Sequence, residues 1–297
     1  MARCQIQPAF DLTAIGRGLR HAARCALPQS CVLCAAPSGA ALLCAACERA
    51  LPQLDAACPR CALPSPDAAI CAACLHDPPP FDAATAAWIY AWPADRLLQA
   101  FKYGGRLALA EPFAEALARA CRRDRDSSDG DASDTGVDGG ADGDAGGGAS
   151  KRAWPDALVA IPLTPARQRS RGFNQAQEIA RSLGTELALP VAHWLERVRD
   201  APPQAAQGMR GRRGSVRGVF VADPRVAGAS VAIVDDVMTT GATLAAAAAA
   251  LRAAGARRIE AWAVARTPVP EPLLAPPFDP CSTSSSSIPR FPRTPAT

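Results

Sequence analysis

Between residues 83 and 266, short apolar runs alternate with stretches of helical character. Trp88-Ile89-Tyr90-Ala91-Trp92 has the aromatic and β-branched content of a strand. Residues 95–103 read as a helix closed by Gly104-Gly105. Helical periodicity returns over residues 112–121. Ala157-Leu158-Val159-Ala160-Ile161 reads as a buried strand stopped by Pro162. Residues 174–183 predict a helix and residues 219–221 a strand. A β-branched strand at 231–234, an alanine-rich helix at 244–254 and a strand at 259–265 complete the series. Strands alternating with helices predict an α/β fold, with a mostly parallel sheet and helices on both faces.

One ordered string in that series carries chemistry: Val231-Ala232-Ile233-Val234-Asp235-Asp236-Val237-Met238-Thr239-Thr240-Gly241-Ala242-Thr243. Asp235 and Asp236 fall at the carboxyl end of a strand, where open α/β sheets bind their ligands. Thr239, Thr240, Gly241, Ala242 and Thr243 set hydroxyls and backbone N–H groups at a helix N-terminus, whose dipole favours a phosphate. Fixed acids beside a phosphate cradle suit a sugar phosphate: the loop takes the phosphate and the carboxylates take hydroxyls. A lone acid pair or Thr-Gly turn is an ordinary strand end; the whole string is far rarer. It resembles the phosphoribosyl-diphosphate signature of the type I phosphoribosyltransferases.

The chain holds 12 cysteines, and eight of them form Cys-x2-Cys pairs: Cys31/Cys34, Cys44/Cys47, Cys58/Cys61 and Cys71/Cys74. Each such knuckle sets two thiolates on one side of a tight turn, and two knuckles complete a tetrahedral Cys4 zinc site. Two zinc ions would staple residues 30–76, which lack the bulky side chains for a core of their own. Disulfides are the competing reading, disfavoured in a cytosolic chain. A thioredoxin-like redox pair lacks its βαβ context. Sequential ribbons (31/34/44/47 and 58/61/71/74) are preferred to an interleaved brace. His76 is read as a surface residue, and Cys4, Cys25, Cys121 and Cys281 as plain thiols.

Charge divides the chain unevenly. Its 297 residues carry a net +4, but residues 124–150 hold eight aspartates against one arginine, a net −7. The rest therefore carries +11, a basic body suited to polyanions. The acidic, glycine-rich segment cannot bury enough surface to offset its ordering entropy and is predicted to be a disordered insert. Residues 267–297, rich in Pro and Ser, read as a tail. Residues 1–29 form an extension with, at most, a short basic amphipathic helix over 10–23. No apolar run reaches membrane-span length and no signal-peptide pattern opens the chain, which predicts a cytoplasmic protein. Two arginine-rich loops flank the sheet. Residues 162–175 hold Pro162, Leu163 and Arg171 directly after a strand, where arginines and backbone amides make an anion site. Residues 197–217 include Arg197 and Arg199 and read as a mobile loop.

These parts, in this order, resemble the ComF family of competence-associated phosphoribosyltransferase-like proteins. The resemblance rests on the four knuckles, then Phe101-Lys102-Tyr103-Gly104-Gly105-Arg106, then Arg171-Gly172-Phe173-Asn174-Gln175. Arg197 to Gln204 and the Asp235–Thr243 string follow. It covers residues 30–266 apart from the acidic insert. It implies a type I phosphoribosyltransferase fold at 83–266 behind a double zinc ribbon, with Mg2+-phosphoribosyl diphosphate bound. Asp235 and Asp236 would act on the ribose, residues 239–243 on the 5′-phosphate, and the Pro162-Leu163 backbone on diphosphate. The loop holding Arg197 and Arg199 would close over the site. No acceptor pocket is evident; Phe173, Tyr103 and Trp262 are aromatic candidates only, and packing is the preferred reading of each. Two functions follow: transfer of a phosphoribosyl group to an unknown acceptor, or non-catalytic handling of single-stranded DNA with the DNA-uptake machinery.

Overall fold

The computed structural model describes residues 29–127, 152–198 and 218–269. In the N-terminal module β1 (Gln29–Ser30) pairs antiparallel with β2 (Pro37–Gly39). Two short helices follow, α1 (Ala45–Arg49) and α2 (Ala72–His76), each starting directly after a cysteine, Cys44 and Cys71. The second domain runs β3 (Ala83–Ile89), α3 (Ala94–Tyr103), α4 (Ala110–Asp126), β4 (Ala157–Ala160), α5 (Pro165–Arg171) and α6 (Gln175–Leu187). It continues with β5 (Leu195–Arg197), β6 (Phe220–Ala222), β7 (Ser230–Met238), α7 (Ala242–Ala253) and β8 (Arg258–Arg266).

β3, β8, β7 and β4 form a parallel sheet in that spatial order, and β5 and β6 form a separate antiparallel ribbon. Parallel strands are covered on both faces and so read as continuous apolar runs; Val231, Ala232, Ile233 and Val234 are all fully buried. The N–H of Leu158 donates to Pro190 and that of Ala192 to Leu158, both at 2.8 Å, which adds a short parallel rung outside β4. The connections β3 to β4 and β4 to Val191 therefore step one way across the sheet, and β7 to β8 steps back. Right-handed crossovers place α7 on the face opposite α4 and α6, so the expected two-sided fold is present. Trp88, Phe101 and Phe113 meet edge-to-face at 5.7 and 5.3 Å, anchoring α3 and α4 to β3.

Several boundaries differ from expectation. The first strand is residues 83–89 rather than 88–92. Its alanines 83, 84, 86 and 87 fit a tightly covered strand despite their modest β propensity, and Trp92 is exposed. β7 runs four residues past Val234, pairing Asp235 with Ala263 and Val237 with Ala265, so both aspartates lie within the strand. The first arginine-rich loop contains α5, capped by Thr164, whose hydroxyl accepts from the Arg167 N–H at 3.4 Å. The β5 strand was not anticipated.

The acidic segment begins later than its composition suggests. α4 continues through Asp126, the Thr85 hydroxyl donates to Asp124 at 2.6 Å, and Arg125 is buried. Composition merges these residues with the aspartates that follow, whereas tertiary pairing assigns them to the helix. Arg125 donates to the fully buried Glu260 at 3.1 Å; Arg152 does so at 3.0 Å and the Trp262 indole at 2.9 Å. The remainder of the insert, the extension with its expected helix, the tail beyond Val269 and residues 199–217 lie outside the described residues.

Candidate functional site

Two clusters gather at the knuckles: Cys31, Cys34, Cys44 and Cys47, and Cys58, Cys61, Cys71 and Cys74. Within each, the sulfurs all lie within 4.8 Å of one another. A tetrahedral zinc with Zn–S bonds of about 2.3 Å puts its sulfurs about 3.8 Å apart. Cys34 and Cys44 are 3.7 Å apart and Cys61 and Cys71 are 3.6 Å apart, far beyond a disulfide bond. The donor sets fit structural zinc, in the sequential pairing, and His76 stands outside both. Burial opposes ionisation of Cys31, yet backbone N–H groups of Cys44, Cys34 and Leu33 outweigh it and lower its thiol to about 6. Cys58, likewise opposed by burial, is lowered to about 7 by the N–H groups of Cys71, Arg60 and Cys61. Burial raises Cys47, Cys61 and Cys74 in the same sets, so only part of each set ionises readily and a bound metal would have to displace the remaining protons. The second ribbon also flanks β3: Ala84 N–H donates to Pro59 at 2.9 Å and Ile89 N–H to Pro52 at 2.9 Å.

Asp235 and Asp236 occupy the carboxyl end of the sheet, as the sequence placed them. Successive strand residues point to opposite faces, and Asp236 meets the Lys102 ammonium of α3 at 2.9 Å. The Asp236 N–H donates to the Asp235 carboxylate at 2.9 Å. Burial, reinforced by the Asp236 charge, raises Asp235 to about 8. Beyond Met238 the chain turns through the exposed Thr239 and Thr240 to Gly241, whose φ of +76° calls for glycine. α7 begins at Ala242, and the Thr240 hydroxyl accepts from the Ala242 N–H at 3.3 Å. Leu244, Ala247, Ala248 and Leu251 bury one stripe of α7, fixing its first turn and Thr243 at the strand end.

Beside Asp236 opens a cavity of about 550 Å³ lined by Lys102, Tyr103, Gly105, Arg167, Arg171 and Phe173. Arg171 stands 5.6 Å over the Tyr103 ring and donates to Gln175 at 3.2 Å. Phe173 meets Phe101 edge-on at 5.6 Å. Asn174 donates to the Ile161 carbonyl at 3.0 Å and caps α6, tying α6 to the end of β4 that leads into Pro162 and Leu163. Arg171 is thus brought to the cavity. Arg197 instead lies on the β5–β6 ribbon, 5.5 Å from the Phe220 ring centre, and Arg199 is outside the described residues. Trp262 is a core residue bonded to Glu260, which removes it from the aromatic candidates. Lys102 was missed. Its signal was a lone cation between buried Phe101 and a Gly-Gly helix stop.

Residues 156–283 match the phosphoribosyl transferase domain, and residues 22–75 match the double zinc ribbon domain. DNA utilization protein YhgH of Salmonella typhi is 34% identical over 122 residues, 38% of this chain and 50% of that protein. Competence protein F of Haemophilus influenzae is 34% identical over 116 residues, 38% of this chain and 51% of that protein. The chain spans about half the length of the curated relatives it matches. The solved glutamine phosphoribosylpyrophosphate amidotransferase from B. subtilis aligns at 21% identity over 37% of this chain and 22% of its own. The TM-score of that alignment is 0.27. Among the described residues no helix is long and apolar enough to cross a membrane.

Proposed function

Because the chain belongs to the ComF family, with a double zinc ribbon ahead of a phosphoribosyl transferase domain, we propose that it binds Mg2+-phosphoribosyl diphosphate and transfers the phosphoribosyl group, in a role associated with DNA uptake. The observation that carries this reading is the strand–turn–helix at residues 230–253. It sets two carboxylates and a Gly241-centred turn at one end of a parallel sheet. In it the N–H groups and hydroxyls of Thr239, Thr240, Gly241, Ala242 and Thr243 hold the 5′-phosphate. Asp235 and Asp236 hold the ribose hydroxyls, directly or through metal-bound water. The backbone of Pro162 and Leu163, with Arg171 and its cavity neighbours Lys102 and Arg167, holds the diphosphate. Arg197 and Arg199 belong to the segment that closes over it.

Transfer breaks the bond between the anomeric carbon and the diphosphate oxygen, and diphosphate leaves with the electron pair. The acceptor supplies the pair for the new bond. As positive charge grows on the ribose, Asp235 and Asp236 stabilise it; as negative charge grows on the leaving group, Arg171, Arg167 and Lys102 stabilise that. Mg2+ would add its own charge to the diphosphate side. Lys102, paired with Asp236 and lining the cavity, stands between the ribose carboxylates and the diphosphate side on this reading. Incubating the zinc-loaded protein with Mg2+-phosphoribosyl diphosphate and a panel of nucleobases tests this. Base-dependent release of diphosphate supports transfer, and its absence across the panel argues against it.

A second reading, non-catalytic handling of single-stranded DNA, is favoured by one observation. The rings of Tyr103 (75% exposed) and Trp92 (72% exposed) stand in solvent, and Tyr103 shares its cavity with three cations. Exposed rings beside cations suit stacked bases and backbone phosphates. On this reading Asp236→Ala leaves DNA affinity nearly unchanged, whereas Arg171→Ala lowers it.

A further inference from the structure

A buried cation at the end of β8 is left unused by that reading. Arg266, 5% exposed, closes β8 directly after the buried apolar run Ala261–Ala265. Its Nε donates to the Cys61 carbonyl at 2.9 Å. One terminal nitrogen donates to the carbonyls of Met238 at 2.9 Å, Thr267 at 3.0 Å and Thr239. The Thr267 N–H also donates to Met238 at 3.0 Å. Cys61 belongs to the second zinc set, while Met238 and Thr239 are the last strand residue and the first residue of the phosphate turn. One planar fork therefore joins a zinc knuckle to the backbone that enters Thr240-Gly241. The rigid spread of its donors allows this, and a single ammonium cannot span both partners.

We infer that Arg266 is a positioning residue through which zinc in the Cys58/Cys61/Cys71/Cys74 set holds the phosphate turn in its ligand-binding conformation. The inference rests on the reading of residues 239–243 as the ribose 5-phosphate site. The first zinc set has no such bond to the turn among the described residues. Loss of the second zinc then frees Arg266 from Cys61 and loosens the turn, and loss of the first does not. Coupling of this kind is reciprocal, so a ligand on the turn also retains the second zinc.

Hydrogen exchange on the full chain, with metal analysis, tests this in wild type, Cys34→Ser, Cys71→Ser and Arg266→Lys. The amides of residues 239–243 should exchange about tenfold faster in Cys71→Ser and Arg266→Lys, within the usual range of coupling between sites. Cys34→Ser should leave them unchanged. Arg266→Lys should keep both zinc ions, so its effect is not loss of the ribbon, and it decides the matter should Cys71→Ser unfold. In wild type, saturating Mg2+-phosphoribosyl diphosphate should slow chelator removal of one of the two zinc ions by about tenfold; in Arg266→Lys it should not. Unchanged exchange in Arg266→Lys would overturn the inference. Accelerated exchange in a protein whose wild type binds no phosphoribosyl diphosphate would uphold the coupling and overturn the functional reading instead.

Discussion

Replacing Glu260 with Gln perturbs the most heavily loaded polar position in the core. Glu260 is fully buried, and the guanidinium groups of Arg125, Arg152 and Arg258 converge on it at 3.1, 2.9 and 3.3 Å. Gln keeps the shape and leaves an oxygen for the Trp262 indole, but its amide nitrogen takes the place of the oxygen that accepts from Arg152, so the change removes the charge and one acceptor together. Arg152 and Arg258 are 13% and 35% exposed and recover some hydration, but Arg125, at 3%, does not. It remains sandwiched against Trp154, 3.9 Å from the ring centre, with no counter-charge. Stranding one partner of a buried pair costs about 3–5 kcal/mol. In a domain of this size each kcal/mol moves the melting temperature by about 2–4 °C. Thermal melts followed by circular dichroism at neutral pH should therefore fall by about 6–20 °C. The double variant Arg125→Met with Glu260→Gln should recover part of that loss, since removing both partners leaves no stranded charge. A shift below about 3 °C for Glu260→Gln, or strictly additive losses in the double variant, would refute the reasoning.

Further outcomes follow from the same geometry. The purified chain should carry two zinc ions, and Cys58→Ser should release metal and lower the melting temperature of the ribbon; less than about one zinc by metal analysis, with disulfides found by mass spectrometry, would contradict the Cys4 sets. Deletion of residues 128–150 should leave thermal stability nearly unchanged, whereas deletion from Asp124 onward should lower it by removing Arg125 from Glu260; equal melts for the two would show that the helix end does not matter. Asp235 holds its proton in the folded chain up to about 8, against 3.8 ordinarily, so within that window the folded state binds more protons and stability falls as pH rises. Ligand that requires the carboxylate should release a proton near pH 7 and bind more tightly as pH approaches 8; calorimetry in buffers of different ionisation enthalpy checks this, and proton uptake would contradict it.

Much of the architecture was legible because its causes are local. The β-branched run before Asp235 can only be a covered strand, and Gly241 marks a turn that requires positive φ. The cysteine spacing showed that two knuckles complete one tetrahedron and favoured the sequential pairing, but it is the fold that gathers Cys31, Cys34, Cys44 and Cys47 in one set and Cys58, Cys61, Cys71 and Cys74 in the other. What escaped were features fixed by tertiary contact. Ala83, Ala84, Ala86 and Ala87 form a strand because β8 and the covering helices demand small residues there. Arg125 sits among aspartates in sequence, yet its partner is Glu260, distant along the chain. Lys102 and Arg266 each look like an isolated charge at the end of an element; only the fold shows that one meets Asp236 and the other joins a knuckle to the turn after β7. Arg197 and Arg199 read as one loop, but the described part puts Arg197 on a ribbon of its own.

Calorimetric titration of the zinc-loaded full chain with Mg2+-phosphoribosyl diphosphate bears most directly on the proposed ligand. Saturable binding is predicted for the wild type, with a rise in melting temperature set by mass action. Asp236→Ala should weaken it by removing a carboxylate from the ribose, and Gly241→Val by forcing a branched side chain onto a φ of +76° at the phosphate turn, with zinc content unchanged in both. No heat and no thermal stabilisation in the wild type would contradict the assignment of residues 235–243 and leave DNA handling as the function of the fold.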